Sequence, residues 1–413
     1  MEGSPEPKQP RTATGAAGTT GTTGTTSAAG ASSPTTRPDT STRTSSPTGA
    51  PSASSPTPGP AGSAASASSP TPGPASSAAS ASNPTDPSPA FHSRLASWFG
   101  DLPPAAGSAV MATSIVSTGL RAVGTQVLSA VLFALAAIGW LALGDDFARR
   151  LARERDRWTA ESHTPAALTA VASTTVLGVR VSLQGWQPPA VVLLIVAAVL
   201  WPPLLWIVVR HLRPNMQGAV FLVCVATQGL VTLAATLAAA LPAHWLLVPA
   251  LVLFVLGLVL YVDAMRHFDF TAVRNGAGDH WVAGGALAIS ALACAKLLAG
   301  GSTSGGWTWA ASVHDTLRVI ALILLALAWC WYAVLVVAEI RWPRPRYDVR
   351  RWATVFPMGM TAVATIEVAK ATGWKWLTDP GHVLVWIGAA AWLLTFVGFN
   401  RQAAKRVFHG EPK

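Results

Sequence analysis

After residue 90 the chain alternates between long apolar runs and short polar breaks. Ten runs, at residues 104–120, 126–144, 165–183, 189–210, 217–240, 243–263, 280–299, 314–338, 352–371 and 381–399, approach or exceed the ~20 apolar residues that span a bilayer core. Each predicts a helix, because lipid offers no partner to backbone N–H and C=O groups and a helix satisfies them internally. The first run is the least apolar. Its polar members Ser108, Thr113, Ser114 and Ser117 are small and can bond back to the helix or face a neighbour.

The runs also alternate in side-chain size. The third reads AALTAVASTTVLG, the fifth contains VATQGLVTLAATLAA, and the seventh reads VAGGALAISALACAK. The fourth reads VVLLIVAAVLWPPLLWIVV, the sixth LLVPALVLFVLGLVLYV, and the eighth contains ALILLALAWCWYAVLVV. Small residues let helices approach closely, and bulky ones suit lipid. The pattern predicts an all-α membrane protein of ten transmembrane helices in five hairpins, each with one inner and one outer helix. Five inner helices could ring a central pore or fill a solid bundle, and the pattern alone leaves both open.

The polar breaks set the orientation. Those after the even runs hold Arg149, Arg150, Arg153, Arg155, Arg157, Arg210, Arg213, Arg266, Arg274, Arg341, Arg344, Arg346, Arg350 and Arg351. The opposite breaks hold only Arg121 and Lys375. Positive residues favour the cytoplasmic side, so both termini are expected in the cytoplasm of a multi-pass plasma-membrane protein.

Residues 1–90 contain no Leu, Ile, Val, Phe, Trp or Tyr. They include a 14-residue repeat, SSPTPGPAGSAASA from Ser54 and SSPTPGPASSAASA from Ser68. With no apolar side chains to bury, the segment cannot offset the entropy of ordering and is expected to be disordered. It also lacks the apolar stretch of a signal peptide. A cytoplasmic location argues against a glycosylated stalk. Three parts follow: a disordered cytoplasmic tail at 1–90, a ten-helix domain at 91–403 and a short cytoplasmic tail at 404–413.

Composition agrees with this division. Charged residues make up 12% of the chain, against about 25% in soluble domains. The net charge of +10 sits between apolar runs rather than on a polar domain, which argues against nucleic acid. Cys224, Cys294 and Cys330 all fall in apolar runs and read as packing residues. No metal-ligand spacing, phosphate loop or acidic catalytic cluster occurs, so neither an enzyme nor a cofactor is implied. Asp145-Asp146 is the one acidic pair, and arginines follow it.

Four segments carry a family likeness. LPPAAGSAVMATSIVS (Leu102–Ser117), TAVASTTVLGVR (Thr169–Arg180), HWVAGGALAISALACAKL (His280–Leu297) and VFPMGMTAVAT (Val355–Thr365) lie on runs 1, 3, 7 and 9. Together they resemble the tellurite-resistance/C4-dicarboxylate transporter family. That family takes in TehA-type bacterial proteins, fungal malate and sulfite transporters and plant slow-type, voltage-dependent anion channels. The likeness covers about residues 92–403. It implies five hairpins around a pore lined by helices 1, 3, 5, 7 and 9, and a homotrimer. It also implies a phenylalanine on the ninth helix that closes the pore, carried over to Phe356. Two departures bear on pore width. Family members often carry an aromatic where Ala105 and Ala106 stand, and a glycine where Ser114 adds bulk.

Phe356 precedes Pro357, which should bend the helix locally. Charges within spans are costly and often functional. Arg180, Lys296 and Lys370 lie toward the outer ends of odd runs, and Arg121 lies just beyond the first. Together they could ring an outer mouth and concentrate anions, or each could snorkel separately. Glu367 lies three residues before Lys370, as an intrahelical pair or a proton-coupling group. Thr113, Ser114, Thr174, Thr175, Thr227, Gln228, Ser290, Thr361 and Thr365 are candidate pore lining, although threonine in such helices commonly bonds its own backbone. His280 and Trp281 read as loop and interface residues. The expected function is transport of small anions, the alternative being a proton-coupled C4-dicarboxylate carrier or a sulfite or tellurite exporter.

Overall fold

A computed structural model of the protein describes residues 106–153, 162–276, 278–301, 308–343 and 347–409. The expected disordered tail, Leu102–Ala105, Arg155, Arg157, Arg344 and Arg346 lie outside the described residues.

The described chain is helical, with no strand. Its long helices are α1 (Gly107–Ala122), α2 (Gln126–Arg153), α3 (Thr169–Ser182), α4 (Gln187–Arg210) and α5 (Leu222–Ala240). They continue as α6 (Leu247–His267), α7 (Val282–Gly300), α8 (Ala311–Arg341), α9 (Trp352–Thr372) and α10 (Thr378–His409). Short 3-10 turns lead into α3, α5, α6, α7, α9 and α10. Eight of these helices are long and apolar enough to cross a membrane. The other two are α1, at 16 residues, and α3, at 14, short of the ~17 that a span needs at minimum. Pro165 sets the first turn of the third run, and that turn is 3-10 rather than α. The last helix runs to His409, well past the expected end of the helical domain.

Burial follows the alternation in the sequence. The most apolar stretches of α5, α7 and α9 are 100%, 89% and 89% buried, against 17–28% for α2, α4, α6, α8 and α10. Nearly all of α1 and α3 is buried as well. The outer helices present Val199, Val252, Val337 and Leu394 to their surroundings, which is stable only if those surroundings are lipid.

The buried helices pack in sequence: α1 on α3, α3 on α5, α5 on α7, α7 on α9, and α9 back on α1. Each exposed helix packs on the buried one before it and, less extensively, on the one after it, α10 being followed by α1. Glycine permits the closest approaches. A Cβ on Gly359 of α9 would stand 2.9 Å from Ile115 Cγ2 of α1, and one on Gly285 of α7 would stand 2.8 Å from Pro357 Cγ. Small residues thus set the spacing of the buried helices.

Candidate functional site

All five buried helices contribute to one cavity. Its wall takes Ile115 and Thr118 from α1, Thr175, Val176 and Val179 from α3, and Gly229 and Thr232 from α5. From α7 come Ile289, Leu292 and Lys296, and from α9 Met360, Val363 and Glu367. Leu183, just past α3, completes the wall, and no exposed helix contributes. A water-sized sphere has about 20 Å³ in which to move, enough for about one water.

These residues repeat at helical spacing. Ile289, Leu292 and Lys296 step by three and four, as do Met360, Val363 and Glu367, so each set is a single stripe. Extending the α9 stripe four residues toward the helix start reaches Phe356. Its side chain is 1% exposed and packs in the main apolar cluster. Pro357 lies inside α9 and cannot donate to the carbonyl four residues back.

Apart from three threonines the wall is apolar, and its charge, Lys296 and Glu367, lies toward the C-terminal ends of α7 and α9. Glu367 accepts from Lys296 Nζ of α7 at 2.5 Å and from Lys370 Nζ of its own helix at 2.9 Å. The intrahelical pair expected from spacing is therefore half of a three-residue cluster. Lys296 and Glu367 are mostly covered, with side chains 15% and 20% exposed, whereas Lys370 is 60% exposed.

Arg180 and Arg121 are placed differently. Arg180 is 1% exposed. Its Nε donates to Ser117 Oγ at 2.9 Å and its Nη2 to Ser129 Oγ at 3.0 Å. Its guanidinium lies 4.8 Å from the Phe133 ring centre. Both serine hydroxyls also reach across to a backbone carbonyl, Ser117 to Ser129 and Ser129 to Ser117, each at 2.7 Å. The arginine thus ties the α1–α2 hairpin to α3, away from the cavity wall. Arg121 donates to Gln184 Oε1 at 2.8 Å.

The hydroxyl candidates divide into two sets. Thr175 lines the cavity. Thr174, Thr227, Thr365 and Thr113 instead accept indole N–H bonds from Trp140, Trp201, Trp329 and Trp392, at 2.8 to 3.0 Å. These four hydroxyls face exposed helices. Gln228 Nε2 donates to the Phe254 carbonyl of α6 at 3.1 Å. Thr361 and Ser290 donate to their own helices, at Pro357 and Ala286. Ser114 is fully buried with its hydroxyl oxygen unpartnered.

Thr118 and Thr232 line the cavity but were not among the expected residues. Stepping back from Glu367 and Lys296 by four and seven would have found Val363, Met360, Leu292 and Ile289. Thr118, Thr175 and Thr232 each donate their hydroxyl hydrogen to a carbonyl of their own helix, at 2.8 to 2.9 Å. As seated they show the lumen oxygen lone pairs, and Lys296 is the cation of this wall.

A second, roomier cleft of about 510 Å³ opens between α2, α3 and α4, with Asp146, Arg150 and Thr174 on its wall. No residue of α5, α7 or α9 reaches it.

A family model described as voltage-dependent anion channel matches residues 101–399. No curated protein matches the chain.

Proposed function

Because the chain belongs to the voltage-dependent anion channel family, we propose that it moves small anions along an axis between α1, α3, α5, α7 and α9, closed by Phe356. The chain is a multi-pass membrane protein of an anion-transporting family. That membership is what sets enzyme chemistry aside. The observation that carries the pore is a single narrow cavity whose wall draws on every buried helix and on no exposed one. Five hairpins, each with an inner and an outer helix, account for this pattern.

The stripe Phe356, Met360, Val363, Glu367 supports the gate. A phenyl ring one turn below Met360 would meet the axis where the apolar wall leaves an ion no hydration. Outer-end charge supports anion preference. Lys296 and Lys370 with Glu367 carry a net +1, and Arg180 and Arg121 add to the field from behind the wall. The arginines at the C-terminal ends of α2, α4, α6 and α8 support a reading with both termini in the cytoplasm, and the family resemblance supports a homotrimer in the plasma membrane.

The test is reconstitution into liposomes, comparing chloride, nitrate, malate and sulfite flux with and without a proton gradient. Chloride or nitrate flux without a gradient is the expected result. Malate flux that appears only with the gradient would instead favour a coupled carrier, with Glu367 on the cavity wall as the coupling group.

A further inference from the structure

We infer that Lys296 is the binding site for a small monovalent anion at the outer end of the cavity, and that Glu367 is a tethered competitor latched onto it. The inference rests on the anion-pore reading above and adds a second closing device to Phe356.

A carboxylate on the wall of an anion pathway is a contradiction unless it is held. It repels the very ions that must pass. Here both carboxylate oxygens are taken, Oε2 by Lys296 at 2.5 Å and Oε1 by Lys370 at 2.9 Å. The carboxylate is itself an anion bound to an ammonium. It marks where a permeating anion finds its cationic partner, since Lys296 is the cation of the wall and the hydroxyls around it are turned to their own backbones. An ion leaving water for a narrow apolar passage needs such a partner.

Two arginines near this end are engaged elsewhere. Arg121 at the end of α1 donates to Gln184 and Gln126. Arg318 of α8 donates to the Thr372 carbonyl at 2.9 Å. The contest for Lys296 is thus between Glu367 and an incoming anion.

The two lysines make release local. Lys370 is 60% exposed, and Lys296 is 15% exposed. Glu367 can keep its Lys370 contact near the surface while its other oxygen lets Lys296 go. An anion then binds Lys296, and the carboxylate swings aside without losing all its pairing. A site open only part of the time binds its ligand more weakly by that fraction.

The experiment measures chloride flux in liposomes as chloride is varied. It compares the parent with Glu367→Gln, with Glu367→Gln/Lys370→Met and with Lys296→Met, normalised to folded protein. The double variant keeps the cluster at +1, since one lysine replaces two lysines and a glutamate, so it removes the latch without changing net charge. Both latch-free proteins should reach half-maximal flux at about tenfold lower chloride, as for a site freed from a competitor that closes it nine-tenths of the time. Lys296→Met should lose most flux at low chloride. An unchanged half-saturating chloride in the folded double variant, with the parent conducting, would overturn the latch and leave the anion pore standing. A folded parent that passes no anion would overturn both.

Discussion

Trp392 of α10 donates its indole N–H to the Thr113 hydroxyl of α1 at 3.0 Å, across 279 residues of sequence. The same bond joins Trp140 to Thr174, Trp201 to Thr227 and Trp329 to Thr365. In each case an exposed helix reaches the buried helix that follows it, and α10, with none after it, reaches back to the first. Four polar links of one kind thus tie neighbouring hairpins together within the apolar layers.

These links make an asymmetric prediction. Trp392→Phe removes the donor together with part of the indole, and Thr113 then keeps its bond to the Ala109 carbonyl at 2.7 Å. Thr113→Val instead leaves a buried indole N–H unpaired, which costs about 1–3 kcal/mol. With Trp392 already Phe there is no N–H to orphan, so thermal unfolding in detergent should show a smaller loss from Thr113→Val in the Trp392→Phe background than in the parent. Equal losses in the two backgrounds would refute this account.

Arg180 and Lys370 should respond differently to salt. Lys370 is 60% exposed, so Lys370→Ala should lower anion flux at low ionic strength and have little effect near 1 M salt, where the Debye length is about 3 Å. Arg180 is 1% exposed, and ions do not screen a charge they cannot surround. Arg180→Met should lower flux to a similar degree at both ionic strengths. Folding should survive, because Ser117 and Ser129 keep their carbonyl bonds. Flux recovery at high salt in Arg180→Met would contradict the buried placement.

Much of this architecture is legible in the sequence. The alternation of small and bulky runs separates buried from exposed helices because lipid and close packing select for opposite sizes. The face of each helix is harder to read. Thr174 and Thr175 are adjacent, yet one meets an indole and the other the cavity. Neighbouring positions on a helix point about 100° apart, and composition gives no sign of which way the axis lies. The Lys296–Glu367 contact is also hidden, since it joins residues 71 apart on two helices. The spacing of Glu367 and Lys370 showed only half of that cluster. Arg180 reads as a mouth residue by its depth in the span. Its partners Ser117 and Ser129 lie on another hairpin, so only the packing reveals that it is turned away.

Asp348 gives a pH signature at the entry to α9. Its carboxylate accepts from the Arg350 backbone N–H at 2.9 Å, from Arg350 Nε at 3.2 Å and from Nη2 at 3.1 Å. Burial pushes this carboxyl up, but the Arg350 hydrogen bonds and the charges of Arg350 and Arg351 outweigh it and hold it below the ordinary range. A depressed folded value contributes stability above the unfolded value of ~3.9, and that stability is lost as pH falls through the folded value. Asp348→Asn should therefore melt lower than the parent at neutral pH, and the gap should close as pH drops below about 4. A gap that persists at the lowest pH would mean the side chain acts by shape rather than charge.

Phe356→Ala should raise basal anion flux. The wall of the cavity carries no aromatic side chain, and its narrowness leaves room for about one water. The proposed path would need a bulky group to close it on the side away from Lys296. Phe356 continues the stripe of Met360, Val363 and Glu367 by one more turn, is 1% exposed, and stands beside a proline that frees the local helix from one backbone bond. A phenyl ring there would block by volume and by offering an ion no substitute for its hydration. Truncation to alanine removes the block and adds no charge, so anion preference should persist while the rate rises. If the ring only fills the core, the same change should leave a cavity that costs about 3–5 kcal/mol and give less folded protein with no gain in flux. Flux per folded protein in liposomes, measured beside the melting temperature, separates the two. A lower melting temperature with higher flux supports the gate. Flux at or below the parent in a folded sample removes Phe356 from that role and leaves closure to the Lys296–Glu367 end or to Met360.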